Sequence, residues 1–283
     1  REFLPKSLVA FVLLALVVAN VFTLGADVAA MGAAVNLIFP LNSVFWSVIL
    51  CLIAWYLVLF KSFKDLQKYF LWLVLFFLSY IPAAVLSKPD WGEVLKTTIL
   101  PQINFSSGFF VSALAMMGTT ITPYLFFWQA KEEVEFRHGK KFSLIFAKTE
   151  ERNLAPGMIF SQVITLFILT ACGAVFFKNG IRDLSSAVDA ARALEPLAGP
   201  FAKYLFAVGI VGSGLLAIPV LSATTAYAVS DFFGWQDSLW DKVGKAKKFY
   251  ALITASIFAG LLIAALPVDT LKLLFYSQVL SGA

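Results

Sequence analysis

The chain has 283 residues, 60% of them hydrophobic and only 14% charged, with a mean hydropathy of +0.85. A soluble domain of this size carries about 25% charged residues, so a water-soluble globular protein is excluded. The net charge of +5 is spread over loops and not gathered in blocks, which points to membrane orientation and away from nucleic-acid binding.

Eight apolar runs follow one another, roughly 7–39, 43–60, 69–87, 105–130, 154–177, 200–233, 249–266 and 268–283. They are continuous and do not alternate, so they read as helices, each needing about 20 residues to cross the hydrocarbon core. This predicts an all-α integral membrane protein forming a single transmembrane domain over residues 1–283, with about eight spans. The opening Arg1 and the closing "LKLLFYSQVLSGA" read as an internal piece of a longer protein.

The first run contains Asp27, in "ANVFTLGADVAAMGAAVNL", the one ionisable residue deep in an apolar segment. An intramembrane acid faces a cavity or a polar partner, so Asp27 is either a functional acid or a structural hydrogen-bond donor or acceptor to a neighbouring helix. The small residues around it, Gly25, Ala26, Ala29 and Gly32 among them, allow close helix packing.

The fourth run is interrupted by "GTTITPY", Gly118–Tyr124. Pro123 removes an N–H and clashes with the preceding turn, Gly118 supplies backbone freedom, and the Thr hydroxyls can bond freed carbonyls. Two readings stay open: a Pro kink patched by Thr, or a discontinuous helix, unwound near Gly118–Thr122, whose carbonyls hold a cation. The sixth run also carries Gly209, Gly212, Gly214 and Pro219, read either as a further interruption or as tight packing. "EEVE" at 132–135 reads as a solvated face, and residues 182–198 as a short surface or connecting helix. Cys51 and Cys172, inside apolar runs, read as small buried hydrophobes.

The N-terminal stub and loops 61–68, 131–152 and 234–248 hold fifteen of the 22 Lys and Arg residues. The positive-inside rule makes that side cytoplasmic, in a multi-pass protein of the cell membrane. The single His, His138, falls in one of these loops, and no paired acids lie within the spans, so a membrane-embedded enzyme is not expected.

At these residues the chain resembles the Nramp divalent-metal transporters, and within them the Nramp-related branch associated with magnesium. "GADVAAMGAAV" is similar to that family's third span, "GTTITPYLFFWQAKEEVE" to its sixth, "LLAIPVLSATTAYAVSDFFGW" to its eighth and "FYSQVLSG" to its tenth. The resemblance implies a partial leucine-transporter-like inverted-repeat fold with discontinuous helices, lacking the first two spans and the C-terminal end. It also implies a metal site between the first and sixth spans. The sixth-span backbone-carbonyl ligand falls at Thr119, the family's Met ligand at Thr122, its His at Tyr124, and its tenth-span Gln at Gln278.

Replacing a soft thioether by the hard hydroxyl of Thr122 favours Mg²⁺, then Mn²⁺. The family's second third-span acid falls at Ala30, which leaves Asp27 as the sole acid of a proton relay and Tyr124 in place of its His. The resemblance therefore implies a secondary transporter of divalent cations working by alternating access, weakly or not proton-coupled. The alternatives are a proton-coupled Mn²⁺/Fe²⁺ carrier and a related-fold Na⁺-coupled amino-acid carrier. Its expected partners are divalent metal ions, as substrate and not as cofactor, and the lipid bilayer. The oligomeric state is left open, a monomer being compatible with the sequence.

Overall fold

The computed structural model describes residues 5–61, 63–101, 103, 105–137, 144–177, 180, 200–239, 241, 243–267 and 269–283. The described residues are helical or in turns and short extended connections, with no strand among them. In chain order the helices are α1 (Lys6–Ile38), α2 (Ser43–Phe60), α3 (Phe63–Phe77), α4 (Tyr80–Leu86), α5 (Trp91–Ile99), α6 (Ser107–Thr120), α7 (Pro123–Arg137), α8 (Leu144–Cys172) with a π-helical end (Gly173–Phe177), α9 (Pro200–Phe233), α10 (Lys247–Ala265) and α11 (Thr270–Gly282). The loop at 182–198 and His138 lie outside the described residues.

Several helices start where a short polar residue precedes an apolar run. Asn42 accepts from the Val44 N–H at 2.8 Å, Ser106 from Phe109 at 3.2 Å, Asp90 from Glu93 at 3.1 Å and Asp269 from Lys272 at 3.0 Å. Each satisfies an N–H that has no partner inside its own helix. Among the described residues, seven stretches (6–38, 43–60, 68–86, 107–135, 154–177, 204–233 and 247–265) are long and apolar enough to cross a membrane. With 13 residues, α11 is shorter than a full crossing.

The bundle is organised around α1, which packs on α2, α9, α10 and α11. Its 33 residues make a rod of about 50 Å, longer than the hydrocarbon core. Leu24, Val28 and Met31 on α1 meet Ile218 and Leu221 of α9, Ile253 and Ile257 of α10, and Ala54 and Val58 of α2. Small residues set the spacing. A side chain at Gly25 would strike Ile263, one at Gly260 would strike Leu24, and Gly32 leaves room for Ser47, whose hydroxyl donates to the Val28 carbonyl at 3.0 Å. A second cluster joins Ala34 to Tyr80, Ile164, Val175, Phe206 and Ile210. Outside both clusters, large apolar side chains such as Leu71, Trp72, Phe105 and Leu262 are exposed, as a surface solvated by lipid requires. Cys51 is buried and Cys172 partly so, and both are free thiols.

The sixth apolar run is not interrupted. α9 runs unbroken from Pro200 to Phe233 with Pro219 inside it. Its glycines are packing notches, where a Cβ at Gly209 would meet the Tyr80 ring, at Gly212 Phe76 and at Gly214 Met31. The fourth run is interrupted, but over a shorter stretch than expected: α6 continues through Thr120, and only Ile121 and Thr122 separate it from α7.

Candidate functional site

The break follows from Pro123. Residue 123 has no N–H, so the Thr119 carbonyl lacks the donor four residues on. The residue before a proline is pushed out of helical geometry, and Thr122 is non-helical. The chain restarts at once, with the Leu125 N–H donating to the Thr122 carbonyl at 3.1 Å. Thr119 and Thr120 turn their hydroxyls back onto the carbonyls of Ala115 and Met116 at 3.0 and 2.9 Å, which closes the last turn of α6. The Thr122 hydroxyl does not follow them. It is buried and makes no hydrogen bond of ordinary length, and the Tyr124 hydroxyl is the polar group beside it.

α11 holds the first half-helix in place. Gly118 lies against the backbone of Gln278 and Gly282: a Cβ there would collide with the Gln278 carbonyl and come within 2.8 Å of the Gly282 nitrogen. The contact is reciprocal, since a Cβ on Gly282 would collide with the Leu114 carbonyl. Gly118 therefore serves close approach between two backbones and not local flexibility, because its own conformation is helical. The Gln278 side chain is buried beside this seam, and its Oε1 is without a partner. Buried polar atoms are rarely left unpaired, so the Gln278 oxygen on the helix packed against α6, together with the Thr122 hydroxyl at the break, is suited to receive a donor, a water or a cation.

A polar face of α1 completes the surroundings. Asn20 donates to the Thr225 hydroxyl of α9 at 3.0 Å, and Thr23 lies 3.0 Å from the Ser277 hydroxyl and 3.2 Å from the Gln278 amide nitrogen. Asp27 follows on the same face, half-buried, with Tyr124 of α7 within electrostatic reach. Asn20, Thr23, Ser277 and Thr225 were not singled out from the sequence. The signal was there in the spacing 20, 23, 27, which puts three polar side chains on one helical face. Thr119 lies on the open side of α6, next to Gly118.

The second half-helix is anchored elsewhere. Lys131 donates to Asp231 at 2.6 Å and Asp237 at 2.8 Å and lies over the Tyr227 ring, 5.5 Å from its centre. The Tyr227 hydroxyl donates to Glu135 at 2.9 Å and accepts from the Leu239 N–H at 3.0 Å, while Ser238 reaches the other Glu135 oxygen at 3.2 Å. Burial pushes the Asp237 carboxyl above its ordinary value, with the Lys131 ammonium pulling the other way. "EEVE" is therefore not a solvated face: Glu135 is a ligand of this network, and α7 is tied through it to α9 and to the segment that follows. Among the described residues no group of three or more His, Cys, Asp or Glu side chains could hold a metal ion.

Together these features define a multi-pass helical membrane protein that contains a discontinuous span. More specifically, the chain belongs to the Nramp family, whose model, described as natural resistance-associated macrophage protein-like, matches residues 1–283. It is 28% identical over 207 residues to a divalent metal cation transporter MntH of Caldanaerobacter subterraneus, covering 71% of this chain and 46% of that protein. To the proteins of the same name from Clostridium acetobutylicum and Pectobacterium carotovorum it is 24% identical over 204 and 231 residues, which is 71% and 78% of this chain and 44% and 55% of theirs. The chain thus spans about half the length of the curated relatives it matches. Those relatives are named as transporters and not as enzymes, with metal ions as what they carry.

Proposed function

We propose that the protein to which this chain belongs carries divalent cations across the cell membrane by alternating access, with Mg²⁺ the preferred substrate and Mn²⁺ next. The observation that carries this reading is two buried oxygens, Thr122 Oγ1 at the break between α6 and α7 and the unpartnered Gln278 Oε1 on α11, the helix packed against α6. Thr122, Gln278 and the Thr119 carbonyl offer hard oxygens and no sulfur. Such a donor set suits Mg²⁺ or Mn²⁺ better than softer late transition metals. Mg²⁺ gives up its waters reluctantly, so few direct ligands and room for water favour it further. The relatives' name, a divalent metal cation transporter, supports the broader class and is silent on which ion.

The two half-helices are held by different helices, both of which also pack on α1. α6 is interlocked with α11 at Gly118, and α7 is bound to α9 through Lys131, Glu135 and Tyr227. Relative movement of the α6–α11 and α7–α9 pairs would be absorbed at Ile121–Thr122 and would open and close the site between them. Proton coupling is weak or absent in this reading. At the positions that the resemblance assigns to the relay, Ala30 and Tyr124 offer no group that titrates near neutral pH, which leaves Asp27. The stub and the 61–68, 131–152 and 234–248 loops face the cytoplasm.

The test is uptake by liposomes holding the full-length protein, with a Mg²⁺- or Mn²⁺-sensitive dye and a pH dye recorded together. Mg²⁺ entry without lumenal acidification is expected. Mn²⁺ entry with neither Mg²⁺ entry nor competition by Mg²⁺ would remove the magnesium assignment, and metal-driven acidification would remove the uncoupled mechanism.

A further inference from the structure

The Gln278 amide is held from behind by a pair of hydroxyls on two different helices. Thr23 of α1 sits 3.0 Å from Ser277 of α11, and both are buried. Each hydroxyl also lies against a carbonyl of its own helix, Thr23 at 2.9 Å from Ala19 and Ser277 at 2.7 Å from Leu274. A hydroxyl has one proton and two lone pairs. With the two protons directed to these carbonyls or shared between the hydroxyls, Thr23 has only lone pairs left for a third neighbour. That neighbour is the Gln278 amide nitrogen, 3.2 Å away, a donor with no accepting capacity. The amide is thereby turned so that its nitrogen faces α1 and its oxygen faces away, buried and unpartnered. Were Thr23 a plain apolar residue, the two ends of the amide would be distinguished by the longer contact of its nitrogen to the Ser277 hydroxyl, 3.5 Å.

We infer that Thr23, supported by Ser277, is a positioning residue for metal recognition. It fixes the Gln278 carboxamide as an oxygen donor facing the site, and so presents a hard ligand to a divalent cation and not an N–H that would repel it. This rests on the reading of Gln278 as a site residue given above. Thr23 does not touch the ion; it acts through the orientation of Gln278. The chemistry selected is that of an oxygen-ligated, partly hydrated dication.

The experiment is a double-mutant cycle on the full-length protein in liposomes. Uptake kinetics for Mg²⁺ and Mn²⁺ are read together with the rise in melting temperature that each metal produces in detergent. Thr23→Val keeps the shape and removes the hydroxyl. It should raise the KM for both ions about tenfold, the worth of one buried amide hydrogen bond, with kcat little changed. Thr23→Ser should restore the KM. In a Gln278→Ala background, Thr23→Val should add nothing, because the residue it positions is gone.

A Thr23→Val effect that persists undiminished in the Gln278→Ala background would show a packing role and overturn the inference. So would an unchanged KM in Thr23→Val when Gln278→Ala raises it, an outcome that leaves Gln278 as a ligand. If Gln278→Ala itself leaves both KM values and both metal-induced melting shifts unchanged, the ligand reading fails first. If Thr23→Val does not fold, Ser277→Ala enters the same cycle. There a KM rise of about threefold that vanishes with Gln278→Ala is expected, and an additive one overturns the inference.

Discussion

Two prolines sit deep in apolar runs of this chain, and only one of them breaks its helix. Pro123 ends α6 two residues early, whereas Pro219 is carried inside the unbroken α9. The local chemistry around them is alike. Hydroxyls at Thr119 and Thr120 bond carbonyls four residues back, and so do those at Ser222, Thr224 and Thr225, at 2.7 to 2.8 Å. What differs is the surroundings. Of the most apolar stretch of residues 204–233, 61% is buried by other helices, against 17% for residues 107–135. α9 is gripped by α1, α3, α4, α7 and α10, and Ile218, the residue before its proline, is fully buried. A kink there would open the core around Leu221 and Ile253, and packing outweighs the lost hydrogen bond. α6 has only Ala115 and Gly118 buried, so nothing opposes the break. Proline proposes a discontinuity, and tertiary packing decides whether it is realised.

The largest expected effect tests what anchors the broken span. Gly118→Ala should reduce uptake by more than tenfold and lower the melting temperature, since the new methyl meets backbone atoms that cannot turn aside. Gly214→Ala, whose methyl meets the flexible Met31 side chain, should cost less on both measures. Equal effects would mean that the α6–α11 seam is ordinary packing.

Next comes the proline pair itself. Pro123→Ala restores a donor for the Thr119 carbonyl and lets α6 run into α7. Uptake should fall about tenfold while thermal stability holds or rises. Pro219→Ala, in a helix that is already continuous, should leave uptake within about twofold of the parent. Loss of uptake in both would erase the distinction between the two runs.

Thr122→Met should shift preference more than total rate, with stronger competition by Cd²⁺ and weaker Mg²⁺ entry, because a thioether displaces water and offers no oxygen. Competition assays that give the same Cd²⁺-to-Mg²⁺ ratio as the parent would take Thr122 out of the site.

Lys131→Ala removes two partly buried ion pairs and should cost about 1–2 kcal/mol in a denaturation experiment. The smallest effect belongs to Asp269. The Lys272 backbone N–H, above all, holds its carboxylate below the ordinary value near 3.8, so its contribution is present at neutral pH and disappears as pH falls through that lowered value. Asp269→Ala should lower the melting temperature slightly at pH 7 and match the parent in acid.

The sequence was legible wherever a single residue has a forced consequence. Continuous apolar runs give helices, and Pro123 with its missing N–H gives a break. It was not legible where a residue's meaning depends on what lies opposite. Gly118 reads in isolation as a flexible joint, and only the approach of α11 shows it to be a contact surface. The glycines of α9 suggest interruption until Tyr80, Phe76 and Met31 are seen filling the space they leave. Thr23 in an apolar run looks like one more hydroxyl folded onto its own helix, which it is, and its second role appears only once Ser277 and Gln278 arrive from the other end of the chain. Glu135 looked solvated because its partners, Tyr227 and Ser238, are roughly a hundred residues away.

The Gly118–Gly282 contact has one further consequence, which concerns how such a protein can change over generations. Most tight contacts tolerate exchange, since a larger residue on one side is offset by a smaller one on the other. Here both sides already carry the smallest residue there is, and what each would strike is main chain. No second substitution at the partner position can rescue the first. The two positions form a dead end for compensatory change, so a lineage that loses either glycine must rebuild the path of a helix to recover.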